Sequence, residues 1–320
     1  MSFNLDVLKI DPVQELDNLS EFIVGQVNAF RRKGVIVGLS GGIDSACIAA
    51  VAVHALGKEK VIGLLLPESE SNPISSEFAS KHAQALGIEH REIDITSTVD
   101  SIVKYKWRDE FLQKLIPEYK PGYKYNIILP TDLLERAAFS FYRLQVQMQD
   151  GELKSKRLNL DELLTITSFA NIKIRARMLH LYAEAERRNL LVAGTTNRTE
   201  FILGDFCKYG DGGTDIEPFT HLYKNQIYQL SDYLEVIPEI VNREPSPDTF
   251  SLPVNDQEFF FRISFEKLDY LLYAWEHEVA IKDAAKVLDL SEDAIGRAYK
   301  DFTSKYRATA HIRNVPNTLK

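Results

Sequence analysis

Val35-Ile-Val-Gly-Leu-Ser-Gly-Gly-Ile-Asp-Ser45 joins a short apolar run to a glycine-rich turn. The apolar half, 35–39, has the pattern of a strand that is buried on both faces. The residues after the turn, 44–56, are rich in alanine and too numerous for a second strand, so they predict a helix. The sequence therefore predicts a strand, a tight turn and a helix in direct succession.

The turn has the composition of an anion-binding loop. Gly41 and Gly42 allow positive φ angles and a close approach of the backbone to a ligand. Successive amide groups, the hydroxyls of Ser40 and Ser45, and the positive end of the following helix would surround an anion. The alternative is an ordinary turn without a ligand. The predicted strand and helix on either side favour a phosphate loop.

The neighbouring segments continue the alternation of strand and helix. A buried-strand pattern occurs at 60–66, and 89–95 alternates as a strand near a sheet edge does. Helical patterns occur at 12–30 and 74–86. Strands that alternate with helices are parallel, so we expect an α/β fold with a doubly wound, mainly parallel sheet. Ligands bind at the carboxyl ends of such strands, where the glycine turn lies.

Residues 96–168 fit this alternation poorly and form an excursion. We expect a helix at 132–149 within it. The excursion has three interpretations, a lid, a dimer surface or helical padding, since a long excursion is often but not always functional.

After the excursion the sheet resumes, and the chain ends in helices. The pattern predicts a long helix at 169–189, a strand at 190–195 and a helix at 222–234. The C-terminal region, 256–320, has helical patterns only. The simplest description is a single domain spanning 1–320.

Composition narrows the class of protein. A formal charge of −8 and a pI of about 5.5 argue against a general nucleic-acid binder, which needs a cationic surface. Cys47 and Cys207 are far apart and outside any CxxC pair, which indicates a reducing cytoplasm. The first ten residues lack a secretory pattern, and no apolar run reaches membrane-spanning length. We expect a soluble cytoplasmic protein without a membrane or nucleic-acid partner.

Two carboxylates follow neighbouring strands. Asp44 lies beside the glycine turn, and Glu200 lies one turn into the helix after the strand that ends at Gly194-Thr195. Two acidic oxygens together with phosphate oxygens and water form an octahedral Mg²⁺ site. Glu200 alone would more often be a solvated helix residue, but its position relative to the loop predicts a metal ligand.

The pattern Ser-Gly-Gly-x-Asp-Ser resembles the loop of the ATP pyrophosphatase (PP-loop) superfamily, whereas a Walker loop would have a lysine after the glycines. Further motifs make the chain resemble the ammonia-dependent NAD synthetase family from about residue 34 to 248. The motifs are Asn171-Ile-Lys-Ile-Arg-Ala-Arg177, Gly194-Thr-Thr-Asn-Arg-Thr-Glu200, Lys208-Tyr-Gly-Asp-Gly-Gly-Thr-Asp215, Leu222-Tyr-Lys224 and Pro245-Ser-Pro247.

The resemblance implies a set of site residues. ATP would contact Gly38, Leu39, Ser40, Gly41, Gly42, Ile43, Asp44, Ser45, Thr195, Lys224 and Ser246. Mg²⁺ would bind Asp44 and Glu200. The second substrate, deamido-NAD, would contact Arg177, Lys208, Asp215 and His311. Arg175 is a neighbour that sequence alone does not separate from Arg177.

The resemblance also implies an ATP-dependent ligase that forms an amide in two steps. A carboxylate of deamido-NAD attacks the α-phosphorus of ATP, pyrophosphate leaves, and ammonia displaces AMP. Asp44, Lys224 and Asp211 are the expected catalytic residues, with Asp211 or Asp215 binding the ammonium. No glutaminase pattern is present, so we expect free ammonia, or ammonia from a separate partner. The resemblance also implies a homodimer.

Two alternatives stay open on the sequence alone. The C-terminal family pattern His-Lys-Arg-x-x-Pro is His311-Ile312-Arg313 here, so the enzyme could adenylylate another carboxylic acid. Residues 281–299 have the pattern of a helix-turn-helix, which would suit a DNA-binding regulator. The second helix of that pattern begins Ser-Glu-Asp, however, and these acids would face phosphates.

Overall fold

The computed structural model describes residues 3–129, 133–135, 141–247, 249–316 and 318. Its main sheet has four parallel strands in the order β3–β2–β1–β7. These strands are β1 (Val35–Gly38), β2 (Val61–Leu65), β3 (Glu89–Glu92) and β7 (Leu191–Ala193). The predicted central strand, its neighbour and the edge strand are confirmed.

Helices cover both faces of this sheet, which makes it doubly wound as predicted. One face packs against α1 (Pro12–Ala29), α2 (Ile43–Leu56), α3 (Pro73–Leu86) and α8 (Lys224–Tyr233). The other packs against α4 (Thr96–Val103) and α6 (Leu160–Arg188). The two faces of β1 account for this arrangement, since Val35 and Val37 belong to one apolar cluster and Ile36 to the other.

Local signals set the helix boundaries near the glycine turn. The side chain of Asp11 accepts hydrogen bonds from the amides of Val13 and Gln14, which caps α1. Asn72 caps α3 in the same way, with Pro73 in the first helical position. Gly87 ends α3 in the left-handed conformation, at a φ of 67°. These boundaries fall where the sequence predicts them.

The excursion contains a second sheet that the sequence analysis missed. It comprises α4, α5 (Tyr105–Leu115) and an antiparallel sheet of β4 (Lys124–Ile128), β5 (Arg143–Gln147) and β6 (Leu153–Arg157). The predicted helix at 132–149 is therefore wrong over 143–147, while 132 and 136–140 lie outside the described residues. Burial on β5 alternates, with Leu144 and Val146 inside, and this period of two rather than 3.6 is the pattern of a strand.

A buried ionic network joins the excursion to the main sheet. The ammonium of Lys173, on α6, lies 2.9 Å from a Glu68 oxygen and 2.6 Å from a Glu70 oxygen in the loop after β2. From α5, Tyr105 donates to Glu68 over 2.6 Å, and Arg108 pairs with Glu70 over 2.6 Å. Burial alone would raise the pKa of Glu68, but Lys173 and Tyr105 lower it, so the network holds an ionised carboxylate.

Besides α8, the chain after β7 has further helices joined by loops, and the helices predicted in the C-terminal region are confirmed. The further helices are α7 (Arg198–Leu203), α9 (Pro238–Val241), α10 (Phe265–Glu276), α11 (Ile281–Leu288), α12 (Glu292–Ala308) and α13 (Ala310–Arg313), with a π-helical turn at Gln257–Phe261. The last helices pack around Leu271, Ile295 and Phe302 in an apolar cluster of their own. Among the described residues, none of the helices combines the length and the apolar character that a membrane span needs.

Candidate functional site

The glycine turn after β1 is a tight loop that approaches the start of α3. Gly41 has a φ of 74°, and a Cβ atom there would lie 2.3 Å from the carbonyl oxygen of Ser75. Gly42 has a φ of −97° and serves as the N-cap residue of α2. The freedom of glycine to adopt a positive φ is therefore used at Gly41 and not at Gly42.

The two serines hold the loop from within. The amide of Ser40 donates to the Ser45 hydroxyl over 3.2 Å, and the amide of Gly42 donates to the Ser40 hydroxyl over 3.2 Å. The Ser45 hydroxyl in turn donates to the Gly42 carbonyl over 3.0 Å. These bonds pre-form the loop at the N-terminus of α2, where the helix dipole favours an anion.

Two acids and one lysine meet beside the loop. The ammonium of Lys224 lies 2.5 Å from an Asp44 oxygen and 3.8 Å from a Glu200 oxygen. Asp44 lies in the first turn of α2, Glu200 lies in the first turn of α7, and Lys224 is the first residue of α8. The cluster is therefore formed where three helix N-termini meet. The structure thus brings Asp44 and Glu200 together around the Lys224 ammonium, and their binding of Mg²⁺ stays a prediction.

Buried polar contacts fix these helix starts. Asn197 is fully buried and caps α7, and its capping box with Glu200 is complete. Asp269, on α10, accepts from the Thr199 hydroxyl over 2.7 Å and from the Asn225 amide over 2.7 Å. The C-terminal helices thus hold α7 and α8 at the site.

Burial and mutual charge change the pKa values of Glu200 and Lys224 in this cluster. Burial raises the pKa of Glu200 well above its usual range, and the charge of Asp44 adds to this while Lys224 opposes it. Burial alone would lower the pKa of Lys224, but Asp44 and Glu200 outweigh it and raise that pKa. Lys224 therefore keeps its positive charge, whereas burial and the charge of Asp44 disfavour the ionised form of Glu200.

Two adjoining cavities open on the loop, with volumes of about 250 and 420 Å³. Together they match the size of small-molecule sites in proteins. Ser40, Ser45, Thr195 and Asp211 line both. The first cavity has an apolar wall formed by Leu64, Leu66, Ile174, Met178 and Leu181.

The predicted site residues divide between these cavities. Gly38, Leu39 and Arg177 line the first cavity. The second is lined by Gly42, Ile43, Asp44, Glu200, Lys224 and Ser246. Arg177 donates to the Leu66 carbonyl and the Ser71 hydroxyl, so its guanidinium is held at the rim beside β2.

Four predicted residues line neither cavity: Gly41, within the turn itself, and Lys208, Asp215 and His311, which lie outside it. The ammonium of Lys208 donates to the carbonyls of His311 and Asn314 over 2.8 and 3.0 Å, which ties the second glycine-rich loop to the C-terminal segment. Asp215 accepts from the Val192 amide and the Tyr182 hydroxyl, and so holds the start of β7. For Lys208, His311 and Asp215, the substrate contact stays a prediction.

Comparison with known proteins shows which family the chain belongs to. A family model described as NAD synthase matches residues 15–117 and 136–316. The chain belongs to the NAD synthase family. A similar relative, the NH(3)-dependent NAD(+) synthetase of Mesorhizobium japonicum, is 37% identical over 311 residues, which are 97% of each chain. That of Thermotoga maritima is 34% identical over 86% of this chain and 95% of its own.

Solved structures share the fold of this NAD synthase family member. An NH3-dependent NAD synthetase from Campylobacter jejuni superposes with a TM-score of 0.64 at 24% identity, covering 98% of this chain and all of its own. An NMN synthetase from Francisella tularensis has a TM-score of 0.67 at 21% identity, covering 97% of this chain and 99% of its own.

In this NAD synthase family member the second cavity is more acidic than the sequence indicated. Burial, together with the charges of Asp256 and Asp211, raises the pKa of Asp205 to about 8. Burial likewise raises the pKa of Asp211 and of Asp256 to about 6 each. Sequence reasoning missed Asp205 and Asp256, since neither belongs to a motif and long-range packing brings them to the cavity.

Asn197 and Arg243 were also missed. Asn197 lies inside a quoted motif, and its position three residues before Glu200 is the capping-box signal that could have identified it. Arg243 lies two residues before Pro245, in a stretch without a recognisable pattern. It lines the second cavity beside the glycine turn.

Proposed function

We propose that this chain is an ammonia-dependent NAD synthetase, which converts deamido-NAD, ATP and ammonia to NAD, AMP and pyrophosphate. Family membership and the names of the relatives confirm the predicted class, an ATP-using carbon–nitrogen ligase. The observation that carries the residue-level proposal is the contact of Lys224 with both Asp44 and Glu200 beside the pre-formed loop.

ATP would lie along the glycine turn and across both cavities. The apolar wall of the first cavity suits the adenine ring, and Gly38 permits a close approach there. The triphosphate would follow the turn from Ser40 to Ser45 towards Lys224, with Thr195 and Ser246 as further contacts. Thr195 lines both cavities, which supports a position beside the middle of the nucleotide.

Asp44 and Glu200 would hold Mg²⁺. Their oxygens already face a common cation, the Lys224 ammonium, and carboxylate oxygens are the ligands that Mg²⁺ prefers. Among the described residues, no group of three or more acidic, histidine or cysteine side chains is arranged to bind a metal, so phosphate oxygens and water would complete the site. Bound Mg²⁺ would offset phosphate charge and keep Glu200 ionised.

In the first step the carboxylate of deamido-NAD attacks the α-phosphorus of ATP, and pyrophosphate leaves. Lys224 lies at the N-terminus of α8 and remains charged, so it can stabilise the negative charge that develops on the leaving oxygens. The amides of the loop and the N-terminus of α2 act in the same direction. This step needs positioning and electrostatic stabilisation, without a covalent enzyme intermediate.

In the second step ammonia attacks the acyl-adenylate and AMP leaves. The acids of the second cavity attract ammonium, and a carboxylate with a raised pKa can take its proton near neutral pH. Asp211 lines both cavities and has a pKa of about 6, which supports its predicted role in this step.

For deamido-NAD we retain Arg177, Lys208, Asp215 and His311 as proposed contacts. The fork of Arg177 suits a phosphate or a carboxylate, and its position at the first cavity supports the proposal. Lys208 and His311 lie side by side at the C-terminal segment, so they would meet a part of the dinucleotide that extends beyond the cavities.

The test is an assay of AMP and NAD formed by purified protein from ATP, ammonium and deamido-NAD. We expect AMP release to depend on deamido-NAD, with nicotinic acid mononucleotide as the comparison acid and glutamine as the comparison nitrogen donor. AMP release that is equally fast with the mononucleotide would support the alternative of a different acid. The comparisons favour neither that alternative nor the DNA-binding one.

We also propose that the enzyme is a cytoplasmic homodimer. Cys47 and Cys207 are both buried free thiols, which supports a reducing compartment. Leu160 and Leu164 lie one turn apart at the start of α6 and are 67 and 57% exposed, which supports a protein interface at this end of the helix.

A further inference from the structure

Arg243 is a cation of the second cavity with no role in the reaction described so far. It lies in the segment between α9 and Pro245, and its side chain reaches back to the glycine turn. One guanidinium nitrogen donates to the Gly41 carbonyl over 3.3 Å, and the other donates to the Ser75 hydroxyl over 2.9 Å. Arg243 thus spans the point where the turn meets the start of α3.

Within the described part of the chain, the guanidinium of Arg243 forms no ion pair with a carboxylate. Both acceptors of Arg243 are neutral oxygens, and the Gly41 contact is long for a hydrogen bond. Lys224, the other cation of this cavity, is already paired with Asp44 and lies near Glu200. Of the two, Arg243 is therefore the cation that has no carboxylate partner among the described residues.

The position and chemistry of Arg243 suit a phosphate group. A guanidinium has five N–H donors in a planar fork that matches phosphate oxygens, and it stays charged at any physiological pH. Ser40, Gly42 and Ser45 line the same cavity as Arg243, at the N-terminus of α2. An anion there would lie between Arg243 and the loop.

We propose that Arg243 binds the β- and γ-phosphates of ATP and stays paired with the pyrophosphate when the pyrophosphate separates from the α-phosphorus. This inference rests on the proposed function. In the first step a carboxylate oxygen forms a bond to the α-phosphorus, and the bond from the α-phosphorus to the bridging oxygen breaks. The electron pair remains on the pyrophosphate, and no proton moves. Arg243 stabilises that added charge from the point where the turn meets the start of α3.

The test compares ligands that differ in the part of ATP they contain. Calorimetric titration with ATP, with pyrophosphate and with AMP, each with Mg²⁺, is carried out on wild type, R243Q and R243K. In R243Q we expect affinity for ATP and pyrophosphate to fall about 10- to 100-fold, the size of a lost charged hydrogen bond, and affinity for AMP to stay within about twofold. R243K retains the charge without the fork and should be intermediate.

R187Q is the matched control, since Arg187 lies on the surface with a side chain 61% exposed and pairs with Glu184. It should bind all three ligands as wild type does. An equal loss of AMP and pyrophosphate binding in R243Q would assign Arg243 to shaping the loop and overturn the proposal, as would unchanged pyrophosphate binding. These binding measurements do not involve deamido-NAD. A failure of the Arg243 proposal can therefore be told apart from a failure of the proposed function.

Discussion

The side-chain amide of Asn197 donates a 3.0 Å hydrogen bond to Asp44, so the residue that caps α7 also orients the first acid of α2. This contact joins the two carboxyl strand ends on which the site is built. Asn197 is fully buried, and its side-chain oxygen accepts from the Glu200 amide at the same time. Both nitrogen and oxygen of one amide therefore act on the proposed Mg²⁺ ligands.

Substituting Asn197 separates these two functions. N197D keeps an oxygen for the cap but places a carboxylate against Asp44, so we expect near-native helix capping and a loss of activity of at least about tenfold. N197A removes both contacts and should also lower the free energy of unfolding by about 1–2 kcal/mol. Urea denaturation and the AMP-release assay distinguish the two variants. Full activity in N197D would show that the contact with Asp44 is dispensable.

The two glycines of the turn should differ in their tolerance of alanine. G41A forces an L-residue to a φ of 74° and a Cβ atom into the Ser75 carbonyl, so we expect a loss of about 2 kcal/mol or more and of ATP binding. G42A has an ordinary φ, and its Cβ would lie 3.3 Å from the Ser40 hydroxyl, so its effect on stability should be smaller. Thermal denaturation with and without ATP measures both. Equal effects would contradict the loop geometry.

Asp205 should make stability fall as pH rises. Its pKa is about 8 in the folded chain and about 4 in an unfolded one, so the folded state binds its proton more tightly. That contribution is fully present below pH 4 and is lost as pH rises to 8. D205N removes it, so we expect a flatter profile of unfolding free energy against pH and a gain over wild type at pH 9, measured by urea denaturation. Parallel profiles for both proteins would refute the assignment.

Lys208 should hold the C-terminal segment in place. K208M removes the bonds to the His311 and Asn314 carbonyls, so we expect faster hydrogen exchange in residues 309–314 and an increase of about tenfold in KM for deamido-NAD. Exposed Lys120 supplies the control K120M. Arg313 still donates to the Ile202 carbonyl, so the segment should loosen without global unfolding. Faster exchange with an unchanged KM would limit Lys208 to a structural role.

The exposed leucines of α6 should mediate the proposed dimer. L164E places a charge beside Leu160 at the start of α6, and we expect light scattering to show monomers where wild type shows dimers. Ile102, 56% exposed on α4, supplies the control I102E, which should leave the mass unchanged. A wild-type monomer, or a dimer that survives L164E, would remove the interface from α6.

Sequence reasoning located the main sheet and the central cluster because their signals are local. Asp11, Asn72 and Gly87 mark helix ends by residue type, and the glycine turn has a pattern of its own. Asp44 and Glu200 follow neighbouring parallel strands, so their convergence follows from topology. The family resemblance added the order of the remaining motifs and is confirmed.

What the sequence could not supply depends on contacts between distant segments. β5 is short, and without its partners β4 and β6 the run Arg143–Gln147 carries too few residues to separate a period of 2 from 3.6. Arg243 and Asp256 reach the second cavity through the packing of loops, which no spacing rule predicts. The contact of Lys208 with the C-terminal segment joins residues about a hundred positions apart.

The buried ion pairs of Lys173 with Glu68 and Glu70 limit how far this chain can be shortened. A design that deletes the segment containing α5 would take away Tyr105 and Arg108, and leave Glu68 and Glu70 facing Lys173 with two acids for one base. Uncompensated charge inside a protein destabilises it by several kcal/mol. The segment between β3 and α6 is thus no removable appendage, and a minimal version of the enzyme would need apolar replacements at Lys173, Glu68 and Glu70 together.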